Sequence, residues 1–220
     1  MSKVRWFFGA LYDFVFPPLP VCRYCGQRKT DLASECETCK AEWEALKVKG
    51  KQKKPYACFY YDGVVKKVIW QYKYSRYEDL ADMMAEQIAK MLKAQKVKAD
   101  YVSYVPLHKS KRKKRGFDQT ARLAQGVAAE LNVEPVTMLR RVRRTKTQAK
   151  LTAENRKQNV KNAFVSDIST KPDKKSVIIL LDDVYTTGAT MAAAVEALKT
   201  AGYKNIIPAA FATSKANESE

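Results

Sequence analysis

The sequence predicts an α/β domain built on a parallel sheet, preceded by a small module that holds four cysteines. Short apolar runs alternate with amphipathic stretches of helical spacing, which is the pattern of strands joined by crossover helices. Four of the five cysteines stand in two CxxC pairs near the start. With 220 residues and a hydrophobic share of 46%, the chain is large and apolar enough to bury a core.

The elements of the sheet and its helices can be placed in order. A basic, glycine-containing linker at 47–54 separates an N-terminal module, residues 1–50, from a main domain, residues 51–214, and a polar tail follows at 215–220. Apolar runs predict strands at 56–61, 101–105, 177–181 and 205–211, and helical spacing predicts helices at about 64–72, 77–95, 117–131 and 188–198. The cationic stretch at 109–115 is predicted as a loop, and a polar helical stretch is expected around 155–159.

The last apolar run before the C-terminal helix ends in two carboxylates and a Thr-Thr-Gly turn. In an open parallel sheet, ligands bind beyond the carboxyl ends of the strands. The turn straddles a helix start, where backbone N–H groups and the helix dipole favour phosphate, and carboxylates suit Mg²⁺ shared with a substrate. An acidic strand end before an ordinary capped helix is the alternative, but the density of the pattern favours a phosphate and metal site. The residues of that site are Asp182, Asp183, Thr187, Gly188, Ala189 and Thr190.

The two CxxC pairs are separated by ten residues and are formed by Cys22, Cys25, Cys36 and Cys39. Disulfides, a redox pair and a bound metal are the interpretations to weigh. A cytoplasmic protein keeps its thiols reduced, and two such pairs can place four thiolates tetrahedrally around one Zn²⁺. We therefore predict a structural zinc site and treat Cys58, inside a strand, as an ordinary buried thiol.

The chain is strongly basic, with 41 Lys and Arg against 23 Asp and Glu and a formal net charge of +18. A field of one sign attracts polyanions such as nucleic acid or an anionic membrane face, although solvated charge is the default interpretation of a lysine-rich run. Two dense clusters, together with the cationic linker residues and with Tyr72, Tyr74 and Tyr77, predict a groove that follows a nucleic-acid backbone while bases stack on aromatic rings. The predicted DNA-binding residues are Lys109, Lys111, Arg112, Lys113, Lys114, Arg115, Arg140, Arg141, Arg143 and Arg144.

The first 22 residues have some features of a signal peptide, because Lys3 and Arg5 precede an apolar run. Asp13 interrupts that run, and Val21 is too bulky for the residue before a processing site. No other apolar run approaches the roughly 20 residues of a membrane span. We therefore expect a cytoplasmic protein. The aromatic N-terminal run could hold it at the inner face of the cell membrane, but we favour packing of that run on the neighbouring domain.

His108 is the only histidine and follows a predicted strand end. A lone histidine is more often a capping or packing residue than a catalyst, so a contact with pyrophosphate is only the alternative interpretation.

The segment DDVYTTGAT at 182–190 resembles the 5-phosphoribosyl-1-diphosphate (PRPP) loop of type I phosphoribosyltransferases. The resemblance implies a parallel sheet flanked by helices, with Asp182 and Asp183 on the ribose hydroxyls directly or through Mg²⁺. It assigns the 5′-phosphate to Thr186, Thr187, Gly188, Ala189 and Thr190. Thr186 stands where purine-salvage members place an acidic base, so the resemblance assigns no catalytic residue.

Four segments, taken in order, resemble the ComF family of late competence proteins and within it the ComFC branch. They are the CxxC pairs, VPLHKSKRKKRGFDQ, QAKLTAENRKQNVKNAF and DDVYTTGAT, within a match from about 16 to 211. Asp118 replaces the asparagine that is usual in the second segment. The resemblance implies uptake of single-stranded DNA in natural transformation, with a ComFA-type helicase and other competence proteins as partners. The alternative is an active phosphoribosyltransferase of nucleotide metabolism or salvage, with an unknown acceptor.

Overall fold

The computed structural model describes residues 21–22, 24–27, 35–74, 79–143, 163–167 and 172–215. The chain divides into two compact units, residues 1–45 and 46–220. Predictions for the first 20 residues, Tyr77, Arg144, the stretch around 155–159 and the end of the tail lie outside the described residues, as do the side chains of Asp79 and Lys114.

The first unit is built around a tight turn and helix α1, Glu37–Ala45. In the turn, the amide of Cys22 donates to the carbonyl of Gln27 at 2.8 Å. Helix α1 buries Cys39 and, one turn later, Trp43. The Trp43 ring stacks on Tyr24 with centroids 4.5 Å apart and planes 6° from parallel. Among the described residues of this unit, the aromatic stack and the sulfur cluster both connect helix α1 to the turn.

The second unit is built around a five-stranded sheet with the order β1-β7-β6-β2-β3, in which every neighbouring pair is parallel. The central strand begins with four consecutive fully buried residues, because helices cover both faces of such a sheet. The strands are β1 (Tyr56–Tyr60), β2 (Tyr101–Tyr104), β3 (Glu134–Pro135), β6 (Ile178–Tyr185) and β7 (Ile206–Thr213). Two further strands, β4 (Leu139–Arg141) and β5 (Phe164–Ser166), form a separate antiparallel pair.

Five helices accompany these strands in the described part of the second unit. They are α2 (Gly63–Tyr74), α3 (Asp79–Ala94), α4 (Lys109–Arg115), α5 (Gln119–Leu131) and α6 (Ala189–Thr200). Helix α5 packs closely on α3 at Gly126, where an added Cβ would lie 2.7 Å from the Cβ of Ala85. Among the described residues, none of the helices combines the length and the apolar character needed to cross a membrane.

The structure confirms the predicted α/β fold and four of its strands, and it corrects two details. Residues 109–115 are a helix rather than a loop, because His108 caps the start and Gly116, with a φ of 86°, ends it. Tyr72, predicted as an exposed stacking residue, is buried, and its hydroxyl donates to the carbonyl of Gln119 at 2.6 Å. The helical face of α2 places Tyr72 with the apolar residues that point to the sheet.

Candidate functional site

A small recess lies where β6 passes into α6. Because β6 is the central strand, its carboxyl end is the expected location for a ligand in this class of fold. Six of the seven residues predicted for PRPP line the recess, and Asp183 does not. The lining residues are Asp182, Val184, Tyr185, Thr186, Thr187, Gly188, Ala189, Thr190 and Met191.

The backbone of the turn is fixed by a glycine at the helix start and by a hydrogen bond from Ser214. Gly188 is the N-cap of α6 with a φ of 72°, a left-handed conformation that glycine adopts without a steric cost. The first bond of the helix runs from the amide of Ala192 to the carbonyl of Gly188 at 2.8 Å, so the amide of Ala189 precedes the helical ladder. Ser214 fixes the other side of the turn, since its hydroxyl donates to the carbonyl of Thr186 at 3.1 Å.

We expect Gly188→Ala to weaken phosphate binding and to lower the free energy of unfolding by roughly 1–3 kcal/mol. An added Cβ would lie 2.7 Å from Cζ of Tyr185, so both the strain and the displaced ring would distort the turn. Gly202→Ala is the matched control, because Gly202 also has a positive φ, 93°, but a Cβ there meets nothing closer than 3.6 Å. Thermal unfolding and inorganic phosphate titration of both variants check this. Equal phosphate affinity in the two variants would contradict the role given to Gly188.

The two adjacent carboxylates lie on opposite faces of β6, since neighbouring residues of a strand alternate. Asp182 lines the recess, and its Oδ1 accepts from the amide of Asp183 at 2.8 Å. Asp183 is only 7% exposed. Its Oδ2 lies 2.7 Å from Nζ of Lys73 and accepts from Nε2 of Gln119 at 3.4 Å. The structure therefore gives the two carboxylates different neighbours.

Cations converge on these carboxylates. Burial and then the charge of Asp183 raise the pKa of Asp182 to about 7, while Lys73 and Arg141 oppose that rise. Burial lowers the pKa of Lys73, but the charge and hydrogen bond of Asp183 outweigh this effect, so the pKa is raised overall. Burial, followed by the charges of Arg141, Arg115 and Lys73, lowers the pKa of Lys111. Burial also lowers the pKa of Arg141, against the attraction of Asp182. This concentration of positive charge suits an anionic ligand beside the recess.

The raised pKa of Asp182 predicts a pH dependence of stability in Mg²⁺-free buffer. The folded state holds a proton on Asp182 up to about pH 7, whereas the ordinary value is 3.8. Protonated Asp182 therefore contributes its full stabilisation below the unfolded-state pKa of 3.8. This contribution is lost as the pH rises through the folded-state pKa of about 7. We expect a higher thermal midpoint at pH 5.5 than at pH 8, and a smaller difference in Asp182→Asn. An undiminished difference in that variant would assign the effect to other groups.

Sequence reasoning missed Lys73 and Gln119 as parts of this site. Lys73 stands in the last turn of α2, and nothing in its local pattern points to β6. Gln119 begins α5 directly after the Arg-Gly-Phe-Asp segment, and its buried Oε1 has no hydrogen-bond partner among the described residues. That oxygen could accept from a ligand hydroxyl or a metal-bound water. Such an unused buried acceptor is consistent with a missing polar ligand near Asp183.

His108 and Asp118 act as helix caps. Nδ1 of His108 accepts from the amide of Ser110 at 3.2 Å, in agreement with the capping interpretation. Asp118 caps α5 and also accepts from the amide of Leu107 at 3.0 Å, which ties the segment after β2 to the start of α5. A carboxylate serves both hydrogen bonds, so the presence of Asp118 in place of the usual asparagine leaves the local structure well supported.

The four cysteines of the first unit form a cluster that could hold a metal ion. One sulfur from each lies within 4.8 Å of the others, and Sγ of Cys25 and Cys36 are 4.0 Å apart. Tetrahedral zinc thiolates have sulfurs about 3.8 Å apart, given Zn–S bonds of about 2.3 Å. Although burial raises it, backbone amides led by that of Cys36 lower the pKa of Cys22 to about 6, which favours the thiolate that binds metal. All five cysteines are free thiols, and Cys58 is buried in β1 as predicted.

The predicted DNA-binding cations divide into two groups. Lys111, Arg115 and Arg141 are partly buried, and the site carboxylates and cations act on Lys111 and Arg141. The exposed members are Lys109, Arg112, Lys113, Arg140 and Arg143.

Comparison with known proteins gives matches over most of the chain. Residues 118–220 match the family described as phosphoribosyl transferase domain. Competence protein F of Haemophilus influenzae is 26% identical over 192 residues, 85% of this chain and 82% of that protein. The DNA utilization protein YhgH of Escherichia coli K12 is 29% identical over 184 residues, 78% of this chain and 74% of that protein. YhgH of Salmonella typhimurium is 33% identical over 131 residues, 57% and 56% of the two chains.

Similarity to solved structures is weaker. The glutamine phosphoribosylpyrophosphate amidotransferase from B. subtilis, complexed with ADP and GMP, has a TM-score of 0.42 at 20% identity. The alignment covers 63% of this chain and 29% of that one. Adenine phosphoribosyl transferase from Trypanosoma brucei has a TM-score of 0.39 at 14% identity and covers 83% of this chain and 84% of that one.

Proposed function

We propose that the chain belongs to the ComF family, binds single-stranded DNA and supports DNA uptake in natural transformation. Competence protein F and the YhgH proteins are its homologues, and residues 118–220 match the phosphoribosyl transferase domain family. The phosphate recess binds PRPP or a related sugar phosphate as ligand or regulator. The proposal includes a ComFA-type helicase and other competence proteins as partners, and a cytoplasmic location near the membrane across which DNA arrives.

The observation that carries the ligand proposal is the recess between β6 and α6, with the turn at 186–190 on one side and Asp182 on the other. The amide of Ala189 and the threonine hydroxyls can donate to a 5′-phosphate, and α6 directs its positive end toward it. Asp182 can accept from ribose hydroxyls. Lys73 and Arg141 act electrostatically on Asp182, so a pyrophosphate group beside it would meet positive charge.

The same residues fit Mg²⁺ carried by the ligand. Asp182 offers a hard oxygen in the recess, the kind of ligand that Mg²⁺ prefers. A divalent ion there would offset the charge of the carboxylate and the pyrophosphate together. Asp183 could contact the same ion only if Lys73 shared its carboxylate, because Nζ of Lys73 lies 2.7 Å from Oδ2 of Asp183.

We assign zinc to the cysteine cluster. Four thiolate ligands at tetrahedral spacing are typical of structural zinc, and a site with four protein ligands leaves no open position for catalysis. The metal would hold the turn at 22–27 to the start of α1, and so it would stabilise the first unit.

The DNA proposal rests on the exposed cations of α4 and β4, and it predicts a steep salt dependence. Replacing Arg112 and Lys113 with glutamine should weaken binding of single-stranded DNA and reduce the slope of log K against log salt by about 0.7 for each phosphate that is no longer neutralised. Fluorescence anisotropy with labelled dT20 at several salt concentrations measures both. Lys174→Gln and Lys199→Gln are charge-matched controls outside the predicted DNA-binding runs. An equal loss of affinity in the control variants would show that the net charge of the protein, and not these two residues, determines DNA binding.

An active phosphoribosyltransferase is the second candidate function. The converging charges of Lys73, Lys111 and Arg141 favour it, because preorganised cations can stabilise a departing pyrophosphate. Incubation with PRPP, Mg²⁺ and candidate acceptors, followed by pyrophosphate detection, tests it. Absence of pyrophosphate with every acceptor, together with saturable PRPP binding, would leave a ligand-binding role alone.

A further inference from the structure

Two large aromatic side chains lie exposed on helix α2. Trp70 is 60% exposed and Tyr74 is 57% exposed, one helical turn apart. Their ring centroids are 5.5 Å apart with planes at 44°. Such a pair is unusual on a protein surface, because burying these rings would remove a large apolar area from water.

The core does not account for this pair. Helix α2 already buries a complete apolar face, formed by Val64, Val65, Val68, Ile69 and Tyr72. Trp70 and Tyr74 stand on the opposite side of the same helix, where helical spacing places a solvent-facing stripe. Both rings are therefore accessible to a partner.

Positive charge flanks the two rings. The guanidinium carbon of Arg115 lies 5.1 Å from the Tyr74 ring centroid, and its Nη2 donates to the Tyr74 hydroxyl at 3.4 Å. At the other end of the stripe, Lys67 is exposed three residues before Trp70. Lys66 beside it is ion-paired with Asp62 at 3.0 Å, so Lys67 is the better placed of the two to bind a phosphate. The stripe is therefore aromatic in its centre and cationic at its ends.

This combination fits one kind of partner. Aromatic rings bind the faces of unstacked bases, and cations beside them bind the phosphates between those bases. A duplex hides its base faces, so it can use only the cations. A net charge of +18 on the whole chain adds a general attraction for a polyanion.

We propose that Trp70 and Tyr74 form a base-stacking platform for single-stranded DNA, with Arg115 and Lys67 on the adjacent phosphates. This inference rests on the proposed function and adds to it the surface that distinguishes single strands from duplex. Helices α2 and α4 then serve both sites. On α2, Lys73 pairs with Asp183 and its neighbour Tyr74 is exposed. On α4, Arg115 contacts the Tyr74 ring. Lys111, on the same helix, experiences the charges of Lys73 and Arg141. The bound strand would thus run close to the ligand recess.

The test compares Trp70→Ala, Tyr74→Ala and the double variant with wild type, using labelled dT20 and a duplex of the same length. We expect each alanine to weaken dT20 binding about 5- to 100-fold, the range for removal of one stacking ring, with the salt slope unchanged. Duplex affinity should stay within twofold. Trp70→Phe should bind nearly as wild type, because it keeps a ring. Binding of dT20 should also quench tryptophan fluorescence in wild type and much less in Trp70→Phe.

Val165→Ala is the control for truncation of an exposed apolar side chain, since Val165 is 37% exposed on β5. Thermal midpoints close to wild type are expected for all variants, because the platform rings lie outside the core. If wild type binds dT20 and the alanine variants bind it equally well, the platform is overturned while the DNA-binding function stands. If wild type itself does not bind dT20, the stacking platform and the proposed DNA-binding function are both wrong. Equal weakening for duplex and single strand, or abolished helicase binding with DNA affinity intact, would also overturn the stacking proposal.

Discussion

Chelation of the proposed zinc, or the substitution Cys39→Ser, is expected to unfold residues 35–45 and the turn at 22–27. The cluster joins these segments, and the stack of Tyr24 on Trp43 adds a contact between them. Structural zinc contributes on the order of 10–16 kcal/mol to the folding of small zinc modules, which a single aromatic stack cannot replace. We expect one zinc per chain by elemental analysis and rapid proteolysis of the first unit after chelation.

Cys58→Ala is the matched control for the cysteine variant. Cys58 is equally a buried thiol, but it belongs to β1 and lies outside the cluster. Its substitution should leave the zinc content at one per chain and the first unit resistant to protease. Full protease resistance of the metal-free protein would show that the cluster does not hold this unit together.

Asp182→Asn is expected to weaken binding of PRPP in the presence of Mg²⁺ roughly 100-fold or more. Loss of a residue that only orients a metal ligand weakens metal binding about 10- to 100-fold, and loss of a proposed ligand itself should weaken it further. Burial and then repulsion from Asp183 raise the pKa of Asp182, and a neutral amide avoids both penalties, so stability at pH 8 should not fall. Calorimetric titration with PRPP and thermal unfolding separate the two effects.

Asp183→Asn provides the comparison, because it leaves the partly buried ammonium of Lys73 without its charged partner at 2.7 Å. We expect it to lower the free energy of unfolding by about 2 kcal/mol, below the 3–5 kcal/mol for fully buried pairs since both groups retain some solvent contact. PRPP affinity retained in Asp182→Asn and abolished in Asp183→Asn would move the ligand to the Lys73 face of β6.

Local patterns in the sequence predicted four of the strands and the turn that we propose as a phosphate site. A run of apolar residues at 177–181 can only be a buried element, and the acid pair and Thr-Thr-Gly turn after it are contiguous. The CxxC pairs are likewise local. Helical spacing at 63–74 also places Tyr72 with the buried residues, and Trp70 and Tyr74 on the other side of the helix.

Contacts between distant segments could not be predicted in this way. Lys73 meets Asp183 only because α2 packs beside the carboxyl end of β6, and no local signal marks that pair. The helix at 109–115 also depends on neighbours. His108 and Gly116 define its ends, whereas the adjacent like charges alone oppose a helix.

The central claim is that the edge between β6 and α6 binds a sugar phosphate, and crystals of the full chain grown with PRPP and Mg²⁺ test it most directly. We expect the 5′-phosphate within hydrogen-bond distance of the backbone at 187–190 and the ribose beside Asp182. Ligand density elsewhere on the protein, with the turn at 186–190 free of it, would contradict the claim.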